Sequence, residues 1–578
     1  MYSKSEYNLR LPLFVIGFLQ NGLLTMKRIL LLSMVLFSWV GMTHASTETK
    51  AQVSTGMSKK AHKPAGQALQ KTVDHSQFKQ LQRDFDGYAP DVTEACLECH
   101  IDSAKEIHKT FHWKWAAKVD GVDVGNGKKL DNVDVGKGGN GFNNYCVAAK
   151  GNESCTQCHT GYGWRNEDFD MEDEANVDCL VCHESTGTYK KSAAASGFPL
   201  DTVDLNAVAQ SVGAPRRENC LSCHANGGGG NGVKHGDTDM SLVDPVHSLD
   251  VHMSPEKLNF SCQTCHSTSG HEISGRYNGK KAFVDHEKNM GRTDRDGKNV
   301  SCESCHGSVP HKDREIDNHT SKVACTSCHI PEMARGGVLT KLSWDWSTAT
   351  KTDENGKPFT IEKEFDGIEN HSYMSKKGTF TWGANVVPEY RWYKGELKQK
   401  TLLTVIDPTK APIDINPPTG DYSDPDARIW PFKIHRGKQP YDTVKNRILP
   451  IKLSGKKGSG ALWAEYNWAK ALQAGSELNH LDYSGEFDFI ETNGYWPIKH
   501  MVAPADDAVK CVACHSRDSR LAGLNDFYLI GRDSNFWVEL FGLLAIFGGL
   551  SGVMGHSLLR YYTARKLKNA NDKRQGAK

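Results

Sequence analysis

The chain has 578 residues, of which 38% are hydrophobic and 54 are glycine, and its 70 basic side chains stand against 69 acidic ones for a formal net charge of +1. This balance excludes the strong overall field with which proteins attract polyanions, so no nucleic-acid partner is expected. The length allows several domains, but the low hydrophobic content indicates that something other than side chains helps to fill the interior.

Residues 1–45 have the features of a secretory signal peptide. Lys27 and Arg28 precede a long apolar run that ends at a small-residue cleavage site. Met26 stands directly before the basic pair and is a candidate for the true start. The alternative is a long uncleaved anchor, because residues 11–24 are also largely apolar. Residues 46–95 are polar, lack a sustained apolar period and are predicted to form a spacer.

Sixteen of the 17 cysteines fall into eight copies of the pattern C-x-x-C-H. Two thiols one short turn apart can form thioether bonds to the two vinyl groups of one porphyrin, and the adjacent histidine can bind its iron. Zinc sites and disulfide scaffolds are the alternatives, but neither explains a histidine after every second cysteine. The chain is therefore predicted to bind eight covalent haem c groups. The motifs are Cys96/Cys99/His100, Cys155/Cys158/His159, Cys179/Cys182/His183, Cys220/Cys223/His224, Cys262/Cys265/His266, Cys302/Cys305/His306, Cys325/Cys328/His329 and Cys511/Cys514/His515.

The first seven motifs all lie within residues 96–329, which leaves too little chain per haem for independent domains. The haems must therefore pack on one another and form a continuous conductor. Residues 330–510 contain no motif but eight tryptophans, and are predicted to form a haem-free, aromatic-rich insertion before the eighth haem at residues 511–530. Within this insertion, residues 461–474 are expected to form an amphipathic helix.

Residues 536–559 form an apolar segment long enough to cross the roughly 30 Å hydrocarbon core of a bilayer. Basic residues are frequent in the tail at 560–578, so the positive-inside rule places this tail in the cytoplasm and the haem region in the periplasm. The alternative is a buried C-terminal helix. The predicted fold class is mainly α: a loop-rich multihaem cytochrome with a haem-packed core and one C-terminal transmembrane helix.

A haem that only carries electrons needs a second axial ligand, which is most simply another histidine. Thirteen histidines outside the motifs remain after those of the signal peptide, the spacer and the tail are set aside. The preferred distal ligands lie between or beside the motifs. They are His108, His112, His235, His252, His286, His311 and His500.

The motif count, the one cysteine outside the motifs (Cys146) and the run GGGGNGVKHGD at 227–237 together resemble the octahaem cytochromes of the tetrathionate reductase family. That family is related to pentahaem nitrite reductase and hydroxylamine oxidoreductase. The resemblance implies that the second haem is the substrate site and that Lys234 is its replaceable distal ligand. Lys150 is the rival candidate, although it lies on the attachment side of its own haem.

The implied roles have a physical basis. A lysine must lose its proton to bind a metal, and burial favours that neutral form. The resemblance places Cys146 at the same haem as a reactive group, whereas the alternative is a buried structural thiol. Asn231 stands where the resemblance implies an acid, which leaves Asp237 as the nearest carboxylate for proton delivery.

The resemblance implies reduction of a small sulfur or nitrogen oxyanion, with tetrathionate, nitrite and hydroxylamine as candidate substrates. A quinol-linked membrane cytochrome or a soluble periplasmic cytochrome is expected to donate the electrons. One alternative is a pure electron-transfer conduit for a separate reductase. Another is a hydroxylamine-type oxidase, although no sequence pattern here establishes the tyrosine cross-link usual in such relatives.

Overall fold

The computed structural model describes residues 73–119, 122–125, 141–147, 156–164, 168–193, 196–275 and 300–576. The predicted signal peptide, most of the predicted spacer, Lys150, Cys155 and His286 lie outside these ranges. The described helices are α1 (Ala89–Leu97), α2 (Ser103–Lys109), α3 (Phe111–Lys114), α4 (Leu180–His183), α5 (Leu205–Gln210), α6 (Arg217–His224), α7 (Cys262–Cys265), α8 (Glu303–His306), α9 (Arg314–His319), α10 (Cys325–His329), α11 (Leu462–Glu465), α12 (Trp468–Leu478), α13 (Cys511–Cys514) and α14 (Phe536–Gln575).

The described strands fall into three sheets. They are β1 (Ala116–Val119), β2 (Val122–Gly125), β3 (Thr268–Ser269), β4 (Glu272–Ile273), β5 (Thr340–Asp345), β6 (Thr360–Phe365), β7 (Ile368–Met374), β8 (Gly378–Gly383), β9 (Glu389–Tyr393), β10 (Ile413–Asp414), β11 (Arg428–Asp442), β12 (Arg447–Ile448) and β13 (Phe487–Pro497).

Short helices carry most of the haem-attachment motifs. Motif residues lie in α4, α6, α7, α8, α10 and α13, several of which are single turns. Because residues three apart on a helix share one face, one turn presents both motif cysteines in the same direction. The motifs therefore need little surrounding secondary structure, which explains how seven of them fit into residues 96–329.

The part of the predicted spacer that the structure describes is packed into the fold. Leu81 and Phe85 are buried in one cluster with Leu205 and Val208 of α5. His75 lies in the first described turn, which the Asp74 side chain caps by accepting a hydrogen bond from the Ser76 amide. Residues that precede the first motif therefore belong to the packed fold.

The predicted insertion contains a nine-stranded mixed sheet with the strand order β10-β13-β11-β5-β8-β7-β6, and β9 and β12 also pair with β11. The long central strand β11 is antiparallel to β13, from Phe432 opposite Pro497 to Asp442 opposite Phe487. The prediction of a mainly α fold is therefore not confirmed. Aromatic and β-branched residues favour strands, and the same aromatics that suggested a packed core also supply this sheet.

The sheet supports the largest hydrophobic cluster among the described residues, and several of the tryptophans lie in it. Trp344 and Trp346 stack with ring centroids 4.6 Å apart. The helix predicted at 461–474 is interrupted: Tyr466 has a left-handed φ of 51°, and the Asn467 side chain then caps α12 by accepting from the Lys470 amide. Helix α12 continues to Leu478, beyond the predicted end.

Helix α14 is the one described helix that is long and apolar enough to span a membrane. Its 40 residues extend about 60 Å. Asn535 caps its first turn by accepting hydrogen bonds from the amides of Trp537 and Val538. The large apolar side chains along it, such as Phe541 and Leu550, are exposed, as expected of a helix that packs on lipid or on another chain rather than on its own core.

Candidate functional site

Seven of the motif histidines each face a second histidine across a gap of nearly constant width. The ring centroids in these pairs lie 6.0–6.4 Å apart. An imidazole nitrogen binds a first-row metal at about 2 Å, so two imidazoles on opposite sides of one ion have centroids roughly 6 Å apart. The seven pairs therefore fit one iron each. They are His100–His75, His183–His271, His224–His112, His266–His500, His306–His252, His329–His311 and His515–His319.

Hydrogen bonds orient many of these rings. When Nδ1 bonds to a carbonyl or carboxylate oxygen, Nε2 is left to face the metal and the ring is held in place. This arrangement recurs for His183, His266, His271, His311, His319, His500 and His515, whose Nδ1 atoms lie 2.7–3.2 Å from Gly213 O, Ser274 O, Glu106 Oε2, Asp317 Oδ1, Glu315 O, Asp237 Oδ2 and Ile530 O respectively. The donor set thus suits metal coordination at these positions.

The predicted distal ligands are placed in different ways. His112, His252, His311 and His500 stand in the histidine pairs. In contrast, His108 stacks on Trp113 with ring centroids 4.4 Å apart, and His235 meets the edge of Trp496 at 5.4 Å. The remaining partners were not selected from the sequence. They are His75, His271 and His319.

Sequence spacing could not have revealed these three partners. His75 lies in the segment interpreted as spacer, while His271 faces His183 of a motif two positions earlier in the chain. His319 faces His515, on the far side of the whole insertion. The pairing depends on how the chain folds back on itself, which no local pattern records.

Asp237 lies beside the fifth-motif pair. Its Oδ2 accepts hydrogen bonds from the amides of Lys499 (2.6 Å) and His500 (2.9 Å) and lies 3.2 Å from His500 Nδ1. Burial alone raises the pKa of Asp237, but the hydrogen bond and charge of His500 bring the pKa well below its ordinary value. A carboxylate held ionised is a poor proton donor, so these surroundings favour orientation of His500 over the predicted proton delivery. The side chain of Asn231 accepts from the Met240 amide at 2.8 Å.

The motifs form a continuous row in space. Cysteines of different motifs lie close enough to influence one another's pKa in the pairs Cys96 and Cys179, Cys158 and Cys223, Cys220 and Cys262, and Cys302 and Cys325. The same holds for Cys182 and Cys223, Cys265 and Cys302, and Cys328 and Cys514. The row therefore runs through motifs one, three, four, five, six, seven and eight, and the second motif joins it at the fourth.

The motif cysteines differ in how far the polypeptide alone covers them. Cys99 of the first motif and Cys305 of the sixth are exposed, unlike the half-buried cysteines of the third and fourth motifs. The amides of Cys99 and Cys305 each donate to the carbonyl of the first cysteine of the same motif at 3.2 Å. One such turn presents the two thiols together on one side. The other exposed motif cysteines among the described residues are Cys265, Cys302 and Cys511.

His159 of the second motif has different surroundings. Its ring is buried against Trp113 and Trp164, with centroids 4.9 and 4.2 Å away, and its Nε2 lies 2.8 Å from Trp113 O. Lys191 donates to the His159 carbonyl at 2.6 Å and pairs with Asp178 at 2.9 Å.

Lys234 lies close enough to the second motif for its charge to act on Cys158. Burial lowers the pKa of Lys234 to about 8, so its neutral, metal-binding form is accessible near neutral pH. Its Nζ lies 4.4 Å from the centre of the Trp496 ring, and its carbonyl accepts a hydrogen bond from the Tyr145 hydroxyl at 3.1 Å. Gly228, with a φ of +76°, lets the Tyr145 ring lie close to the segment that carries Lys234. A Cβ at Gly228 would come within 3.1 Å of that ring.

The segment that carries Lys234 is fixed to the sheet by a buried lysine. The Lys433 amine donates to Val233 O at 2.7 Å and to Thr340 Oγ1 at 2.6 Å. The Thr340 hydroxyl in turn donates to Gly232 O at 2.7 Å. The residues before Lys234 are thus hydrogen-bonded to side chains of β5 and β11. The sheet of the insertion therefore positions Lys234, the candidate ligand.

Cys146 packs against the large hydrophobic cluster. It lies close enough to influence the pKa of Lys341, whose amine is enclosed by Trp344, Phe380 and Trp382 at 4.1, 3.8 and 4.7 Å from their ring centres. Burial lowers the pKa of Lys341 well below its ordinary value. Sequence reasoning missed Lys341 and Lys433, because lysines within strands carry no motif.

These features together define a multihaem c-type cytochrome. They are the seven histidine pairs, the closely spaced attachment motifs and the lysine near the second motif, whose His159 packs against tryptophans. The bacterial cytochrome c family matches residues 341–518. The crystal structure of an octahaem cytochrome c from Shewanella oneidensis is 38% identical, has a TM-score of 0.68 and covers 78% of this chain and 96% of its own. An uncharacterised protein of Archaeoglobus fulgidus is 24% identical over an alignment of 253 positions, which covers 35% of this chain and 81% of that one.

The chain therefore belongs to the octahaem c-type cytochromes of the tetrathionate reductase family, as the sequence resemblance indicated. Membership of this family means covalently bound haem c and a function in multihaem electron transfer. The family is one of oxidoreductases.

Proposed function

We propose that this chain is a periplasmic octahaem reductase that transfers electrons to a small sulfur or nitrogen oxyanion at its second motif. Tetrathionate, nitrite and hydroxylamine are the candidate substrates. The observation that carries the proposal is a contrast among the described residues. Seven motif histidines face an imidazole at 6.0–6.4 Å, whereas His159 is packed among tryptophans. Two lysines, Lys191 and Lys234, lie close enough to act on Cys158 of its motif, and Lys191 is paired with Asp178.

Eight haem c groups are proposed, one for each C-x-x-C-H motif, with the seven facing histidines as distal ligands. A haem bound at the second motif by Cys158 and His159 would supply the redox chemistry for a substrate. The other seven positions, each with two histidines, suit storage and transfer of electrons. Their row passes the fourth motif, whose Cys223 lies close enough to Cys158 of the second to influence its pKa, so electrons from either end can reach the proposed substrate site.

Lys234 is proposed to act in two ways that depend on its proton. The neutral amine can serve as a ligand, while the protonated amine moves away and leaves a cation beside an anionic substrate. The Trp496 ring, 4.4 Å from Nζ, can stabilise that cation. Cys146 and the enclosed amine of Lys341 lie in the same region and are proposed to line the substrate side.

The signal peptide is proposed to export the chain, and α14 to anchor it in the inner membrane with the basic tail in the cytoplasm. The proposed electron donors are a quinol-linked membrane cytochrome or a soluble periplasmic cytochrome. The second candidate function is an electron conduit without its own substrate. The contacts of Lys234 with Trp496 and Tyr145 favour it, because they can hold this residue in place permanently.

Low-temperature electron paramagnetic resonance of the oxidised protein, with and without nitrite or tetrathionate, tests the proposal. Wild type is compared with Lys234→Ala and with Lys257→Ala, which removes an exposed lysine. We expect one minority haem signal that shifts with the anion in wild type and in Lys257→Ala, and that is altered in Lys234→Ala. Eight low-spin signals that respond to neither the anion nor the substitution would leave the conduit as the function.

A further inference from the structure

The segment between the eighth motif and α14 is tied together by one arginine. We name residues 516–535 the juxtamembrane collar. The buried guanidinium of Arg532 donates to the carbonyls of Leu521 (3.0 Å), Leu524 and Phe527 (2.6 Å), and pairs with Asp533 at 2.6 Å. Three carbonyls gathered on one cation close the collar into a compact loop, so it is more than a flexible tether.

The collar holds the eighth motif close to the start of α14. Nδ1 of His515 lies 3.1 Å from Ile530 O. Gly531 has a φ of +88° and lies so close that a Cβ would come within 2.5 Å of His515 O. From Ile530 to Phe536 the chain can span at most about 20 Å, even when fully extended. The eighth motif is therefore within that distance of the apolar helix and, if α14 crosses a bilayer, of the membrane surface.

A shallow cavity of about 390 Å³, largely open to its surroundings, lies in the collar. This volume lies in the range of small-molecule sites, which is roughly 300–1,000 Å³. Its wall combines aromatic rings with carboxylates. The lining residues are Asn525, Asp526, Phe527, Tyr528, Arg532 and Asp533.

The aromatic wall leads back to the eighth histidine pair. Phe527 stacks on Tyr422 with ring centroids 5.6 Å apart and meets the edge of Trp392 at 5.8 Å. The Lys322 amine lies 5.8 Å from the centre of the Trp392 ring and donates to the Tyr422 carbonyl. Lys322 follows His319 by one turn, and the Lys322 amide donates to the His319 carbonyl at 3.0 Å. The cavity and the ligand pair of the terminal motif thus share one packed region.

We propose that this cavity binds a membrane quinol and that electrons enter the protein at the eighth motif. A quinol head group is a flat, hydroxylated ring on an apolar tail, which suits aromatic walls, carboxylate acceptors and a site beside a membrane. The quinol loses two O–H protons and two electrons and leaves as the quinone. The electrons pass singly into the row of ferric haems, which the family function supplies, and the protons pass to solvent by way of Asp526 and Asp533.

This inference makes the chain its own quinol oxidase and removes the need for a separate membrane cytochrome as donor. It does not rest on the proposed reductase site, because the second motif lies elsewhere along the row. A protein donor that docks on the same face is the competing explanation, and the experiment separates the two.

The test uses the full chain reconstituted in lipid nanodiscs. Binding of a fluorescent hydroxyquinoline N-oxide, a quinol analogue, is measured on the oxidised protein, and stopped-flow spectroscopy follows haem reduction by menadiol. The variants are Tyr528→Ala and Asp526→Asn. The matched control is Tyr88→Ala, because Tyr88 and Tyr528 are 54% and 55% exposed. We expect saturable binding in wild type and in the control, and about tenfold weaker binding and slower menadiol reduction in Tyr528→Ala, from loss of an aromatic contact.

Reduction by dithionite should reach the same extent in every variant, which shows that the haems remain intact. If wild type shows no saturable binding, or if both variants are reduced by menadiol at the wild-type rate, the inference is wrong and a protein donor takes its place. Failure of the reductase proposal appears separately, as a loss of substrate turnover even when dithionite supplies the electrons.

Discussion

Lys433→Met tests whether the sheet positions Lys234. The Lys433 side chain is fully buried, and its amine donates to Val233 O and Thr340 Oγ1. Methionine nearly preserves the volume, so packing changes little, but the buried Val233 carbonyl loses a donor. An unsatisfied buried acceptor costs about 1–3 kcal/mol. We therefore expect the free energy of unfolding to fall by about 2 kcal/mol.

The substitution also removes a buried amine, which acts in the opposite direction because it stabilises the folded variant. Burial lowers the pKa of Lys433 well below its ordinary value, so most of its desolvation cost is avoided by loss of the proton. The hydrogen bonds should therefore dominate. Urea unfolding followed by far-ultraviolet circular dichroism measures the change. Electron paramagnetic resonance of the same variant should show a broadened minority signal, because Lys234 is no longer held by its neighbours.

Thr340→Val provides the matched control, because it removes the hydroxyl that links Lys433 to Gly232. If the contacts act together, the double variant should lose about 1 kcal/mol less than the sum of the single variants. A Lys433→Met protein as stable as wild type, with an unchanged minority signal, would refute the anchoring role of Lys433.

Three further predictions concern other parts of the structure. His319→Ala should convert one low-spin haem signal to high spin in electron paramagnetic resonance, because His515 loses its facing imidazole. The control His108→Ala should leave the number of low-spin haem signals unchanged. Equal effects of the two substitutions would contradict the pairing of His319 with His515. Asp237→Asn should raise one reduction potential in a spectroelectrochemical titration, because the anion that orients His500 is lost, and an unchanged titration would argue against this role. His371 has a pKa lowered to about 4 by burial and by the charges of nearby lysines, below the unfolded value of about 6.5. The neutral ring therefore contributes about 1–2 kcal/mol of stability, after solvent screening, that is present above pH 6.5 and lost as the pH falls towards 4. In His371→Phe the free energy of unfolding should fall less steeply with pH over this range. An equally steep fall in the variant would exclude His371 as its source.

The attachment motifs could be read from the sequence because their chemistry is local. Two cysteines and a histidine within five residues suffice, and neither the sheet nor the row of motifs is needed to recognise them. The distal partners could not be read in the same way. His75 and His319 are joined to their motifs only by the folded chain, and no spacing rule separates them from His108, which packs on tryptophan instead.

The insertion illustrates a second limit. Its tryptophans indicated a packed core, which is present, but aromatics serve sheets as readily as haem pockets. The prediction of a mainly α fold followed from the haem region and could not foresee a nine-stranded sheet. Because the sheet was not predicted, the role of Lys433 was not recognised either. Its side chain fixes the Lys234 segment from the middle of β11, where a lone lysine gives no signal in the sequence.

The pairing of His319 with His515 also bears on how the protein is assembled. One residue precedes the nine-stranded sheet and the other follows it, so a shared haem closes the entire insertion into a loop. Cross-links that close long loops remove much of the entropy of an unfolded chain. The haem at this position would therefore act as a cross-link between the two ends of the insertion. A chain that had not received this haem would lack that cross-link.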